Sequence, residues 1–317
     1  MGASTLPLVS IVITSYNRAH WIRQAIESAL AQDYPNLEII ISDNCSTDNS
    51  DEVIKSYCHD QRIRYSRNEQ NIGMIANFQK AFFELAKGEY IANISSDDYL
   101  VNPRFISRAM NIVSKYENIS IVFAIHQSLN EKTGILGANS LPGKFDIEFK
   151  KGKDVFFDYA SNPYYSAAGA MYSVRHIREN NIGFSGRVTG DVEFNLQLML
   201  AGNIGFINDL VYVVRVHDHN VTGAIKNIYE LENAYIDVYK YLYEKVGPKV
   251  DDKKALNNWY RKIFFKRTKL CLQSVISGRN RKDVLSLNRL LLKKYKAKYL
   301  SFFLRHPEYI ARIILNR

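Results

Sequence analysis

The sequence predicts an α/β protein: a mostly parallel, doubly wound sheet followed by a helical C-terminal region. Three observations carry this reading. Short β-branched runs alternate with amphipathic helical patterns from Leu8 to Ile125, and beyond Lys226 every pattern is helical. Charge is also segregated. The chain of 317 residues has 42 Lys+Arg against 32 Asp+Glu, a net of +10, yet Asp251–Arg317 alone holds 18 basic and 4 acidic residues. The remainder is therefore slightly acidic, and the basic balance belongs to one end.

Leu8–Thr14 (LVSIVIT) is too short and too β-branched for a helix and reads as the first strand. Trp21, Ile22, Ala25, Ile26, Ala29 and Leu30 then recur at helical spacing until Pro35. Leu37–Ser42 is a second strand, Ser50–Tyr57 a helix, and Ile63–Tyr65 a short edge strand. Ile72–Ala86 is expected as a helix stopped at Gly88, and Tyr90–Ile94 as a buried strand. Asn102–Pro103 opens a helix with Phe105, Ile106, Ala109, Ile112 and Val113 on one face, and Ile119–Ile125 is the next strand. Ala124–Ser161 reads as loop. Order resumes at Tyr164–Val174, a helix at Val192–Leu200 and a strand at Phe206–Val216. The tail is helical, with breaks near Gly247–Pro248 and Ser277–Gly278. The expected division is a catalytic domain over 1–225 and a basic helical region over 226–317.

Composition excludes several classes. Hydrophobic residues at 46% and charged residues at 23% are ordinary for a globular chain, so bulk disorder is not expected. No apolar run reaches the ~20 residues of a spanning helix, and Met1–Pro7 lacks the marks of a secretory leader. Cys45, Cys58 and Cys271 form neither an even set nor a CxxC pair. Neither GxGxxG nor GxxxxGK[ST] follows a strand, which argues against dinucleotide and P-loop sites.

Polar residues gather where a parallel sheet binds ligands, beyond the carboxyl ends of its strands. The first strand exits into Thr14-Ser15-Tyr16-Asn17-Arg18, the second into Asp43-Asn44-Cys45-Ser46-Thr47-Asp48. The Tyr90–Ile94 strand exits into Ser95-Ser96-Asp97-Asp98. Paired carboxylates suit Mg²⁺ or Mn²⁺, which is typically shared between one or two carboxylates and substrate phosphates. A helix N-cap accounts for one of these aspartates at most.

The runs VSIVITSYNRAHWIRQAIESALAQDYPNLEIIISDNCSTDNS (Val9–Ser50) and NIGMIANFQKAFFELAKGEYIANISSDDYL (Asn71–Leu100) resemble the family 2 glycosyltransferases of GT-A fold. The nearest flavour is the bacterial O-antigen and capsule enzymes, including the abequosyltransferase-like group. The resemblance runs from about Leu8 to Asn220. It implies that Thr14, Tyr16, Asn17 and Ser46 line a nucleotide pocket, that Arg18 reaches the diphosphate, and that Asp43 accepts a hydrogen bond from uracil. Ser96 and Asp98 fall on the donor side. Asp97 matches the last residue of the family's Asp-x-Asp metal motif, whose first position is Ser95 here. Gly190-Asp191-Val192-Glu193 resembles the element that carries the catalytic base, which makes Asp191 the candidate; an N-cap role is compatible with it. Val214-Arg215-Val216-His217 resembles the late segment whose His joins the metal or diphosphate site, with His219 as a competitor.

The implied reaction is inverting transfer from a UDP-sugar to a saccharide or lipid-linked saccharide, with Mn²⁺ or Mg²⁺ as cofactor. Ala124–Tyr165 and Tyr164–Met171 would shape the acceptor side, with Tyr164 and Tyr165 able to stack on sugars. In Lys253–Ile276, Leu256, Trp259, Tyr260, Ile263, Phe264, Leu270, Cys271 and Val275 keep helical spacing, while Lys262, Lys266, Arg267 and Lys269 take much of the rest. Such a helix either docks on an anionic membrane, placing a cytoplasmic enzyme on the inner face of the membrane, or packs on the catalytic domain with a solvated basic face. A nucleic-acid binder using the tail would leave the acidic clusters unexplained, and no nucleic acid is expected as partner. A sugar nucleotidyltransferase would need a Gly-rich first turn that is missing.

Overall fold

A computed structural model of the chain describes residues 6–139, 147–161, 166–187, 189–218, 220, 227–278 and 281–315. Tyr164, Tyr165 and His219 lie outside the described residues. The chain separates into two compact units. The first comprises 1–159, 163–186 and 194–219; the second comprises 160–162, 187–193 and 220–317.

The first unit is a mixed, mostly parallel sheet flanked by helices. Its elements are β1 (Val9–Ser15), α1 (Ile22–Leu30), β2 (Leu37–Asp43), α2 (Ser50–Lys55), β3 (Ile63–Arg67), α3 (Met74–Gln79), β4 (Tyr90–Ser95), β5 (Tyr99–Leu100), α4 (Phe105–Lys115) and β6 (Ile119–Asn130). There follow β7 (Leu136–Asn139), β8 (Phe149–Lys150), α5 (Gly152–Asp158), β9 (Ala170–Ser173), α6 (Val174–Glu179), α7 (Gly190–Ala201, whose residues up to Glu193 group with the second unit) and β10 (Asn203–Val216). The strand order is β3-β2-β1-β4-β9-β6-β10-β5, with β7 on β6 and β8 on β10. β1, β2, β3 and β4 run parallel, whereas β9 is antiparallel to both neighbours. Val9, Ile11 and Ile13 of β1 and Ile39 and Ile41 of β2 are wholly buried under α1, whose Ile22, Ala25, Ile26 and Ala29 close over them. Burying an aliphatic side chain of this size contributes roughly 1.5–3 kcal/mol, so this layer fixes the sheet.

Two local features depart from simple periodicity. α3 continues as a π-helical turn over Lys80–Leu85. After it, Gly88 is required by a close approach: a Cβ there would sit 2.6 Å from the backbone nitrogen of Ser10. The expected loop over Ala124–Ser161 is corrected. β6 runs on to Asn130, and β7, β8 and α5 follow. His126–Leu129 are only partly buried and Asn130 is exposed, and the segment is held by ladder bonds to β10 and β7, so its sequence carries no apolar alternation.

The second unit contains α8 (Ile228–Glu232), a π turn over Asn233–Asp237, α9 (Val238–Val246), α10 (Lys253–Ser277), α11 (Arg281–Arg305, kinked at Lys296) and α12 (Glu308–Leu315). The apolar face expected on α10 is buried in this unit. Leu256, Trp259, Tyr260, Ile263, Phe264 and Cys271 of α10 are buried. Tyr260 stacks on Tyr243 at 4.6 Å and Phe264 meets Tyr295 at 5.0 Å. That apolar face is core between α9 and α11. Leu270, expected on it, is 44% exposed.

Candidate active site

The cluster is built at the carboxyl edge of the parallel strands. Thr14 stands level with Ser42 on one side and Ser95 on the other, so the three polar strand exits share one height. Beyond Thr14 the chain turns through Asn17, whose φ of 52° lies in the left-handed region that Asn tolerates. Asn17 then laces the first exit to the second. Its N–H donates to Ser46 Oγ at 2.8 Å, and its Oδ1 accepts the Thr47 N–H at 2.7 Å. Arg18 N–H donates to Ser50 Oγ at 3.0 Å, and Ala19 N–H to Asp48 Oδ2 at 3.0 Å. Tyr16 is exposed at the rim of this turn.

Asp43 is fully buried at the end of β2. Its carboxylate accepts the Ser46 N–H at 3.0 Å and the Ser46 hydroxyl, and Arg67 Nε lies 3.6 Å away. In this arrangement Asp43 shapes the Ser46 turn, and Arg67 is the cation that balances it.

The third exit meets the end of β10. β5 pairs antiparallel with β10, Tyr99 opposite Val213 and Leu100 opposite Tyr212, which brings Arg215 and His217 beside the Ser95–Asp98 turn. Asp97 Oδ2 lies 3.2 Å from His217 Nε2 and 3.3 Å from Arg18 Nε. Asp97, His217 and Arg18 are therefore brought together from three distant stretches of sequence. The His217 ring stacks on Trp21 with centroids 4.4 Å apart and planes at 12°, which fixes its orientation. Trp21 Nε1 in turn donates to Glu131.

Asp98 points the other way. Its two oxygens accept the Tyr212 hydroxyl at 3.0 Å and the Arg215 N–H at 2.8 Å. Burial, then the neighbouring Asp97 charge, pushes its carboxyl up to about 7. Asp98 thus ties the turn to β10. Ser96 is buried beside it. Arg215 completes the brace: Nη1 donates to the Asp97 carbonyl at 2.6 Å, Nε pairs with Glu131 at 3.3 Å, and the guanidinium covers the Tyr99 ring at 4.5 Å.

The sequence assigns no site role to Arg215, Tyr212, Trp21 or Glu131. Arg215 had a signal, since a cation inside an apolar strand needs a buried partner. Tyr212 had none, because it reads as one more β-forming residue. Asp191 opens α7 in the segment that groups with the second unit. Burial raises its carboxyl above the ordinary range, against the opposing effect of the Val192 and Asp191 backbone N–H groups.

Among the described residues no cluster of three or more His, Cys, Asp or Glu side chains could hold a metal alone. The Asp97–His217 pair nevertheless fits a divalent ion that takes its other ligands elsewhere. Adjacent ligands of an octahedral ion with bonds of about 2.1 Å stand about 3 Å apart, close to the 3.2 Å observed. One carboxylate oxygen and one imidazole nitrogen are also donors that such ions accept.

A mixed, mostly parallel sheet with polar turns converging at its carboxyl edge and a helical C-terminal region defines a GT-A-like fold. The chain belongs to glycosyl transferase family 2, whose profile matches residues 10–179. It is 31% identical over 228 residues to a chondroitin synthase of Pasteurella multocida (strain Pm70), an alignment covering 70% of this chain and 22% of that protein. The chain therefore spans about a fifth of that relative's length. It also resembles Staphylococcus aureus TarS 1-349 in complex with UDP-GlcNAc, with a TM-score of 0.67 at 17% identity over 93% of this chain and 89% of that one. A mannosyltransferase from Pyrobaculum calidifontis, PcManGT, in complex with GDP-Man and Mn²⁺ gives a TM-score of 0.57 at 14% identity, over 99% and 88% of the two chains.

Proposed function

We propose that this protein is an inverting glycosyltransferase that moves a sugar from a UDP-sugar to a saccharide or lipid-linked saccharide acceptor in surface polysaccharide synthesis. The O-antigen and capsule enzymes, with their abequosyltransferase-like group, are the proposed setting. The observation that carries the reading is the convergence of Asp97, His217 and Arg18 at the carboxyl edge of β1 and β4. The likeness to a chondroitin synthase, and to neighbours holding UDP-GlcNAc or GDP-Man with Mn²⁺, supports the same class of donor.

In this reading Thr14, Tyr16, Asn17, Asp43 and Ser46 form the nucleoside pocket. The buried Asp43–Ser46 turn fixes its floor and favours a pyrimidine. Asp97 and His217 would hold Mn²⁺ or Mg²⁺, which when bound neutralises charge on the leaving diphosphate. Arg18, on the Asp97 carboxylate, would present its guanidinium to the phosphates, since a bidentate cation suits them. Asp191 accepts the proton of the acceptor hydroxyl as its oxygen bonds to the anomeric carbon and the bond to the diphosphate oxygen breaks. Attack opposite the leaving group inverts the centre. A carboxyl raised by burial is a stronger base than an exposed one, which suits this role.

The proposal extends to location. No described helix is long and apolar enough to cross a membrane. Within 251–317, however, α11 exposes Leu285, Leu292, Leu300 and Leu304 at 40, 47, 55 and 86%. Arg289, Lys293 and Lys296 are exposed among them. Leucines interleaved with cations suit the surface of an anionic bilayer, so α11 replaces α10 as the proposed contact, on the cytoplasmic face of the membrane.

The deciding experiment is UDP release from a panel of UDP-glucose, UDP-galactose, UDP-GlcNAc and UDP-glucuronate with Mn²⁺, for the parent chain and Asp191→Asn. Turnover of one donor that falls at least about a hundredfold in the variant, with UDP binding kept, is expected. Equal turnover removes Asp191 from the base role. No turnover and no UDP binding removes the donor reading.

A further inference from the structure

The segment that carries Asp191 is tied to the C-terminal helices by side chains on both sides of that residue. Thr189 Oγ1 donates to the Ala234 carbonyl at 2.9 Å. Arg187 Nη2 lies 3.4 Å from Asp237 Oδ2, with its guanidinium 4.2 Å from the centre of the Tyr241 ring. Beyond Asp191, the fully buried Glu193 has its Oε1 3.4 Å from Lys245 Nζ, and that ammonium also sits over Tyr241 at 5.5 Å. Asp237 is held from a second side by Lys294 at 2.8 Å, and Lys294 reaches the buried Glu232 at 3.1 Å.

This is a costly way to fix a turn. A buried charge such as Glu193 loses several kcal/mol of hydration and recovers it only through good partners. Apolar contacts would hold the turn as firmly. What a charged network adds is a single register, because every partner fits in one arrangement only. A general base has that requirement, since a misplacement of about 1 Å can cost on the order of a hundredfold in rate.

We infer that Arg187, Thr189 and Glu193 are positioning residues through which the C-terminal helices, by Ala234, Asp237 and Lys245, hold Asp191 in register. The inference rests on the reading of Asp191 as the base. It gives the C-terminal helices a part in holding the proposed base within their own unit, independent of any role at a membrane.

The test uses the full chain and the UDP-sugar that it hydrolyses fastest, with Mn²⁺. Thr189→Val and Lys245→Met, singly and together, remove the hydroxyl tie and the ammonium. Turnover should fall roughly ten- to hundredfold, while the donor KM and calorimetric UDP affinity stay within about twofold. Lys245→Arg should recover most of the loss. The single variants keep the test decisive if the double variant does not fold, since UDP binding certifies each one. Turnover unchanged in both single variants, with Asp191→Asn inactive, overturns the positioning role alone. Asp191→Asn as active as the parent overturns the base and the clamp together. An equal fall in turnover and UDP affinity, unrescued by arginine, marks general structural damage and also overturns the inference.

Discussion

Tyr212→Phe removes one buried hydroxyl and nothing else. That hydroxyl accepts the Ser95 N–H at 3.0 Å and donates to Asp98 Oδ2 at 3.0 Å, which ties the Ser95–Asp98 turn to β10. Phenylalanine keeps the ring, so packing is preserved and the cost is polar. A buried amide left without an acceptor costs about 1–3 kcal/mol, and a hydrogen bond to a charged group contributes about 1.5–3 kcal/mol. Asp98 retains the Arg215 N–H at 2.8 Å, which places its share at the low end. The expected loss is about 3 kcal/mol. The chain's 2 tryptophans give a selective assay, because Trp21 lies in the sheet unit and Trp259 in the helical one. In a Trp259→Phe background, urea unfolding followed by Trp21 fluorescence reports the unit that contains the tie. A loss below about 0.5 kcal/mol, within the range of ordinary surface changes, would refute the argument that this hydroxyl holds the turn.

Three further predictions follow from the same geometry. Asp97→Asn keeps shape but removes the charge shared by His217 and Arg18. The gain in UDP affinity produced by Mn²⁺ should shrink by more than about tenfold, since even residues behind a metal ligand alter affinity that much; an undiminished Mn²⁺ effect in calorimetry would exclude Asp97 as a ligand. Burial lowers the His126 imidazole to about 4, below its ordinary value of about 6.5. The unfolded chain therefore binds this proton first as pH falls, and the folded state loses on the order of 1–2 kcal/mol between pH 6.5 and 5. His126→Gln should flatten that slope in denaturation series, and an unchanged slope assigns it to other groups. For the tail, phosphatidylglycerol vesicles should float the protein and phosphatidylcholine vesicles should not. Neutralising Lys293 and Lys296 should weaken binding about thirtyfold, at about 1 kcal/mol per cation; flotation indifferent to lipid charge would remove α11 as the contact.

The strands and helices of the sheet unit were legible because each signal is local. Isoleucine runs at β1 and β2 and the Ile22–Ala29 face of α1 announce burial without reference to the rest of the chain. The polar exits were legible for the same reason, as Asn17, Asp43 and Asp97 follow those strands directly. β7 and β8 were not, because they are held by backbone ladders and not by an apolar pattern. The apolar residues of α10 were legible as a face, but its partner was not. Periodicity states that a face is buried and leaves open whether protein or lipid covers it, and here Tyr243 and Tyr295 cover it.

By itself, then, the sequence determined the alternation of elements, the carboxyl-edge polar turns and the segregation of +10 net charge toward one end. Those properties depend on neighbours along the chain. Tertiary structure decided how the paired aspartates divide their partners, because pairing of β5 with β10 commits Asp98 to Tyr212 and Arg215 and leaves Asp97 to His217 and Arg18. It also decided that the helical tail holds the segment of Asp191. Both outcomes depend on partners far apart in the chain, Asp98 and Tyr212 by 114 residues and Thr189 and Ala234 by 45, and no local pattern encodes which partner a buried polar group will meet.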